Sequence, residues 1–158
     1  MKHSATLVLL TCIGLLGGCA NPRALVPGQS TEADVRSRMG NPTDSRTDPN
    51  GDRLFEYPTG PEGFVTYLVR IGPDGRVKDV SQLLTEEQLA KIVPSKTTKA
   101  EVRQLLGRPS HEDAYGVGLT WSWRYKKGDV QPGHLVVTFN PNDTVRDTIA
   151  IIDIPRGP

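Results

Sequence analysis

Two stretches of this chain are versions of one sequence, and this constrains the fold more than any other feature. Residues 26–43 read VPGQSTEADVRSRMGNPT and residues 93–110 read VPSKTTKAEVRQLLGRPS, with eight identities in eighteen positions at an offset of 67. The similarity resumes at an offset of 68, between residues 73–79 and 141–147. A sequence that occurs twice predicts one structural unit that is built twice. We therefore predict two tandem repeats, over residues 25–84 and 85–153.

The start of the chain has the pattern of a bacterial lipoprotein signal peptide. Lys2 is followed by an apolar run from Ala5 to Leu16 that is too short to span a bilayer stably. Leu16, Gly17, Gly18 and Cys19 then resemble the lipobox, in which the cysteine thiol receives a diacylglyceryl group before cleavage. The alternative is an ordinary signal peptide with an incidental cysteine. The predicted segments outside the repeats are a signal peptide (1–18), a lipidated tether (19–24) and a C-terminal tail (154–158).

A lipid at Cys19 would hold the mature protein at a membrane without a spanning segment. Several acyl chains give lasting attachment, whereas a single chain binds only reversibly. Because Ala20 rather than aspartate follows the cysteine, the resemblance to sorted lipoproteins implies export to the outer membrane. We expect the folded part to face the periplasm.

Cysteine content and charge exclude several functional classes. Cys12 would leave with the signal peptide and Cys19 would carry lipid, so no thiol remains for a disulfide or for cysteine chemistry. Removal of Lys2 leaves eighteen basic and eighteen acidic residues. A neutral chain gives no indication of nucleic-acid binding.

Each repeat is predicted to begin with a short capped helix. Thr98 and Glu101 form a capping-box pattern, and Thr31 with Asp34 repeats it. A second helix is predicted before the later repeat, between Thr85 and Pro94, while the earlier repeat has room for a single turn at most. The main helices should end at glycines that are followed by prolines two residues later. These structural residues are Gly40 and Pro42 in the first repeat, and Gly107 and Pro109 in the second.

Three strands are predicted after each of these helices. They cover residues 53–58, 63–71 and 76–84 in the first repeat, and residues 119–127, 134–140 and 144–152 in the second. The period-two pattern is clearest where Trp121, Trp123 and Tyr125 alternate with polar residues. We therefore expect an α+β fold of two units, each with short helices on a three-stranded antiparallel sheet.

The search for an active site gives no candidate. His111, Glu112 and Asp113 lack further ligands at metal-binding spacing and are interpreted as a solvated loop. Residues 48–52 start like a calcium loop but lack its glycine and glutamate, which indicates a polar turn. Motifs of serine hydrolases, nucleotide-binding loops and zinc proteases do not occur. We expect no catalytic residue, metal, cofactor or small-molecule substrate.

Aromatic residues are the main candidates for binding a partner. The alternating face of Trp121, Trp123 and Tyr125 is interpreted as core, although exposed anchors favour the same residue types. Phe64 and Tyr115 lie in glycine-rich segments, and we predict that they contact a partner. The alternative for both is that they cover a sheet edge.

The combination T-x-x-[DE]-V-R-x-x-[ML]-G-x-P, then W-x-W-x-Y, a hydrophobic strand and V-x-D, resembles the SmpA/OmlA domain family of BamE-like outer-membrane lipoproteins. The match is best from Ile92 to Asp147, and the first repeat offers Phe55 and Tyr57 in place of the tryptophan pair. The resemblance implies a fold similar to that of the β-lactamase inhibitor protein. In that protein, two such units place their sheets side by side.

This resemblance implies a non-enzymatic protein that binds envelope proteins, such as the β-barrel assembly machinery, or supports envelope integrity. An inhibitor-like module that blocks a periplasmic enzyme, such as a β-lactamase or a cell-wall hydrolase, is a second hypothesis. A stabilising envelope protein with no discrete partner is a third.

Overall fold

The computed structural model describes residues 22–59, 63–116, 118–128 and 131–153. These residues form two four-stranded antiparallel sheets, each with the strand order of the sequence. A 3-10 turn (Pro22–Ala24) precedes the helices α1 (Glu32–Met39), α2 (Glu86–Leu89) and α3 (Lys99–Leu106). The first sheet contains β1 (Asp44–Thr47), β2 (Arg53–Thr59), β3 (Val65–Ile71) and β4 (Val77–Gln82). The second contains β5 (His111–Tyr115), β6 (Gly118–Lys127), β7 (Gln131–Phe139) and β8 (Val145–Ile152).

Helices α1 and α3 begin and end in the same way. The backbone N–H of Thr98 donates to Glu101 Oε2 at 2.7 Å, and that of Thr31 donates to Asp34 Oδ2 at 2.8 Å. Both helices therefore have the predicted capping box. They end at Gly40 (φ 79°) and Gly107 (φ 76°), where a positive φ favours glycine.

The loops before these helices share their hydrogen bonds. The N–H of Val26 donates to Ser30 Oγ at 2.9 Å, and the N–H of Val93 donates to Thr97 Oγ1 at 2.8 Å. Two residues beyond each valine the backbone turns through a positive φ, at Gly28 (77°) and at Ser95 (62°). The N–H groups of those two residues donate to β4 and β8 at Val77 O and Val145 O. A glycine and a serine thus perform the same turn.

The prediction of three strands per sheet is wrong, because β1 and β5 add a fourth strand to each. Residues 111–113 lie in β5 rather than in a loop, with His111 paired to Ser122 and Asp113 to Thr120. Both added strands are sheet edges with mostly polar side chains. Their backbones pair with a neighbouring strand, and this pairing needs no apolar pattern. The other six strands and α2 lie where the sequence predicts them.

Each sheet covers its own core on one face. In the first half, Val35 and Met39 of α1 pack against Phe55, Tyr57 and Ile71. In the second half, Val102 and Leu106 of α3 pack against Trp121, Trp123 and Phe139. The ring centroids of Trp121 and Phe139 are 5.0 Å apart and the ring planes are inclined at 74°, which is an edge-to-face contact. The two tryptophans are therefore core residues.

The opposite face of the first sheet is also covered. Leu54 and Leu68 point away from the α1 core and form a small buried cluster with Leu83, which follows β4. Glu56 lies on the same face and is only 1% exposed. The residues that reach this face come from α3, so the first sheet has helical structure on both sides.

Candidate functional site

A partly buried ion cluster, centred on the buried carboxylate of Glu56, joins the two halves of the chain. Arg103 of α3 donates from Nη1 to Glu56 Oε1 and from Nη2 to Asp44 Oδ2, both at 2.6 Å. The backbone N–H of Arg108 donates to Glu56 Oε2 at 2.8 Å, and Arg46 also pairs with this carboxylate. Every charge in the cluster has an opposite charge beside it. Such a compensated network positions the two halves relative to each other.

The turn after α3 makes the closest approach to the first sheet. A Cβ atom added to Gly107 would lie 2.8 Å from Leu83 Cδ1 and 3.0 Å from Glu56 Oε2. Gly40, at the same place after α1, has no atom within 4 Å of the corresponding position. Glycine is therefore required at position 107 for two reasons. The backbone has a positive φ, and a side chain would not fit between the two halves.

Two clefts border this junction. One, of about 330 Å³, lies between Leu68 and Leu83 of the first half and Gln104 and Leu105 of α3. The other, of about 490 Å³, is lined by Leu54, Arg46 and Arg70 on one side and by Ala100 and Arg103 on the other. Its arginines are ion-paired with Asp44, Asp48 or Glu56. The clefts are gaps between two packed units rather than a preorganised reaction site.

Phe64 contacts the second half instead of standing free. The guanidinium carbon of Arg124 lies 4.7 Å from the centroid of the Phe64 ring, and Lys126 Nζ lies 5.7 Å from it. Both are cation–π contacts, and both cations belong to β6. Phe64 thus lies over the outer face of the second sheet. The prediction that Phe64 binds a partner remains a prediction.

The remaining predicted site residues are Tyr115, the lipobox with Cys19, and the two prolines that follow the main helices. Tyr115 is the last residue of β5 and pairs with Gly118, but its side chain is outside the described part of the chain. Cys19 and the lipobox residues Leu16, Gly17 and Gly18 also lie outside the described residues. Pro42 and Pro109 follow α1 and α3 as the sequence predicts.

An apolar patch that was not predicted from the sequence lies on the outer face of the second sheet. Ile149 and Ile151 of β8 are 53% and 51% exposed. They pair with Val136 and His134 of β7, so all four side chains share one face. The alternation of isoleucine with Thr148 and Ala150 was a readable signal, because it puts the bulky side chains on one side of the strand.

Charged residues adjoin this patch. Arg124 pairs across the strands with His134, and its Nη1 lies 3.1 Å from His134 Nε2. Its Nη2 lies 3.5 Å from Asp153. The outer face of the second sheet therefore combines exposed isoleucines with charged and polar side chains of both signs.

Two tyrosine hydroxyls in the cores have shifted pKa values. Burial raises the pKa of the Tyr57 and Tyr125 hydroxyls above the usual 10.0, so both stay neutral at physiological pH. Tyr57 donates to the carbonyl of Gly40 at 3.2 Å. Within the described ranges, no three His, Cys, Asp or Glu side chains are grouped to hold a metal ion. Among the same residues, no helix is long and apolar enough to cross a bilayer.

A comparison with known protein families gives a match within the second half of the chain. Residues 82–149 match the family model of the outer membrane protein assembly factor BamE domain. No curated protein matches the chain at a significant level.

Two solved structures show weak overall likeness, each with a TM-score of 0.33. One is a DUF4309 family protein (YjgB) from Bacillus subtilis, with 16% identity, 83% of this chain covered and 84% of the other. The second is an extracellular protein containing a SCP domain from Bacillus anthracis, with 12% identity and coverages of 97% and 50%. These two similarities carry no argument about function.

The family match spans α2, α3 and β5 to β7 together with the start of β8, which includes the capped helix and the tryptophan strand. The resemblance to the BamE-like family is therefore confirmed for residues 82–149, which match the BamE domain model.

Proposed function

We propose that this protein is a non-enzymatic lipoprotein of the bacterial outer membrane that faces the periplasm and binds proteins of the β-barrel assembly machinery. The match of residues 82–149 to the BamE domain is the observation that carries this proposal. That family is described as an outer membrane protein assembly factor. The exposed patch on the second sheet supports a role in protein binding.

We further propose that the first half is a divergent copy of the same domain. The matching capping boxes, the matching loop hydrogen bonds and the equal strand order of the two sheets support this duplication. The divergence is concentrated in the strand that holds Phe55 and Tyr57 where the second half has tryptophans. The first copy would then act as a spacer and as a docking face for α3.

Attachment of lipid at Cys19 belongs to the same proposal. An anchored protein meets its membrane-bound partners at a high local concentration, which raises the apparent affinity of a weak interface. The order of the chain places the tether immediately before the first half. The BamE domain would then be held away from the membrane by the first half.

Crosslinking in native membranes, followed by purification of the full lipoprotein, tests this function. Recovery of the β-barrel assembly complex, together with detergent and vancomycin sensitivity of a deletion strain, is the expected result. Recovery of a single soluble enzyme that the protein inhibits would instead support the inhibitor hypothesis. Normal permeability and no envelope partner would contradict the proposal.

A further inference from the structure

The outer faces of the two sheets have matching rows of paired residues. In the first sheet, Glu56 pairs with Leu68, which pairs with Ser81. In the second sheet, Ser122 pairs with Val136, which pairs with Ile149. The rows begin at Asp44 and at His111 in the edge strands. The rows of the two outer faces therefore correspond position by position, but they hold residues of different chemistry.

The outer face of the first sheet is covered by α3 and by the turn after it. Arg103 of α3 reaches Glu56 and Asp44, and Gly107 lies against Leu83. Leu83 is consequently 2% exposed. Ile151, which is related to Leu83 by the offset of 68 that also relates β4 to β8, is 51% exposed. The chain thus shows how a helix and the turn after it cover such a face.

A second copy of this chain is a poor occupant for the second sheet. Its α1 would present Arg36, which lies 67 residues before Arg103, to the position of Glu56. That position holds Ser122, and His111 takes the position of Asp44. Arg124 and Lys126 lie on the same strand and face. An arginine from α1 would therefore meet a serine and a histidine in this row, in place of the two carboxylates that bind Arg103.

We propose that the outer face of the second sheet docks a helix of another envelope protein, in the manner in which the first sheet docks α3. Apolar side chains of that helix cover Val136, Ile149 and Ile151. An aspartate or glutamate of the helix faces Lys126, which reverses the charge pattern of the internal junction. This inference rests on the proposed function, because it names the surface and the type of partner segment through which that function operates.

The test uses the full lipoprotein with Ile149→Asp and Ile151→Asp together, purified from native membranes after crosslinking. Burial of two isoleucines at an interface centre predicts a loss of at least about tenfold in recovery of the assembly complex. The matched control is Val26→Asp with Val93→Asp, two exposed apolar residues (46% and 43%) away from this face. The control should keep recovery within about twofold of the wild type. Equal thermal unfolding of all proteins shows that they are folded.

A charge variant and two further measurements separate the possible occupants. Lys126→Glu should lower recovery about three- to tenfold, and lysine in place of an acidic residue of the partner helix should restore it. Undiminished recovery with the isoleucine variant would overturn the inference while the proposed function stands. Absence of any envelope partner for the wild type would overturn both. Dimers that the isoleucine variant abolishes would indicate a second copy, and new protection of β8 amides would indicate an added strand; either result contradicts helix docking.

Discussion

Arg103 and Glu56 are 47 residues apart in the chain, and their side chains meet at 2.6 Å in the junction between the two halves. Glu56 is almost fully buried, so its charge depends on partners rather than on water. Arg103 supplies one partner, while Arg46 and the N–H of Arg108 supply the others. The orientation of α3 on the first sheet follows from this carboxylate.

Replacement of Arg103 by methionine should destabilise the protein. We expect a loss of roughly 1–3 kcal/mol in the free energy of unfolding, since a buried carboxylate loses a charged donor but keeps two others. Urea titration measures this value. The matched control is Arg36→Met on α1, which removes a more exposed ion pair with Glu32 and a cation–π contact with Phe55 and should cost about 1 kcal/mol. Equal losses for both variants would show that the junction is not stabilised by Glu56.

Gly107→Ala should be more harmful than Gly40→Ala. Both substitutions place a Cβ atom at a positive φ with ψ near 180°, a region that is essentially confined to glycine, which costs about 1–3 kcal/mol. Only the Gly107 variant also brings that atom against Leu83 and Glu56, which adds roughly 1–3 kcal/mol. Thermal and urea unfolding of the two variants give the difference. Similar stabilities would contradict the close approach of the halves.

Acid should weaken the caps of α1 and α3. Hydrogen bonds from the backbone and then the hydroxyl of Thr98 hold the pKa of Glu101 below its usual 4.5, and those of Thr31 hold the pKa of Asp34 below 3.8. Because the folded-state pKa is the lower one, this stabilisation is present above the unfolded-state pKa and is lost as pH falls through the folded-state value. Glu101→Gln should flatten the decrease in stability below about pH 4.5. Parallel curves for variant and wild type would contradict this role.

Cys19→Ala should abolish lipid attachment. The thiol is the predicted acceptor of the diacylglyceryl group, and alanine has no nucleophile. Radiolabelled palmitate should enter the wild type and leave the variant unlabelled. Cys12→Ala is the control and should label normally, because the predicted signal peptide that contains it is removed. Labelling of the Cys19 variant would rule out the lipobox.

Local signals in the sequence predicted much of the fold. The capping boxes, the two helix-ending glycines and the hairpin turns depend on neighbouring residues only. The N–H of Gly75 donates to Gly72 O at 2.9 Å, and that of Asp143 donates to Asn140 O at 3.0 Å, as expected for chain reversals. The alternation around Trp123 correctly predicted a core strand.

Features that depend on long-range pairing were missed. β1 has the sequence DSRT, and its strand character comes from pairing with β2 rather than from its own side chains. Glu56 reads as an ordinary exposed strand residue until α3 of the other half is placed beside it. The contact of Phe64 with Lys126 likewise joins residues whose proximity no local pattern predicts.

Phe64 and Glu56 contact the second half at two separate elements, β6 and α3. A single contact would let the two halves rotate about it, whereas two contacts at separate elements restrict that rotation. When a proposed partner binds residues 82–149, the orientation of the first half is therefore already fixed. Binding then avoids the entropy loss of ordering the two halves. With the predicted lipid at Cys19 in the membrane, such a stiff molecule would act as a spacer of fixed length and would set the distance between the bilayer and the proposed partner.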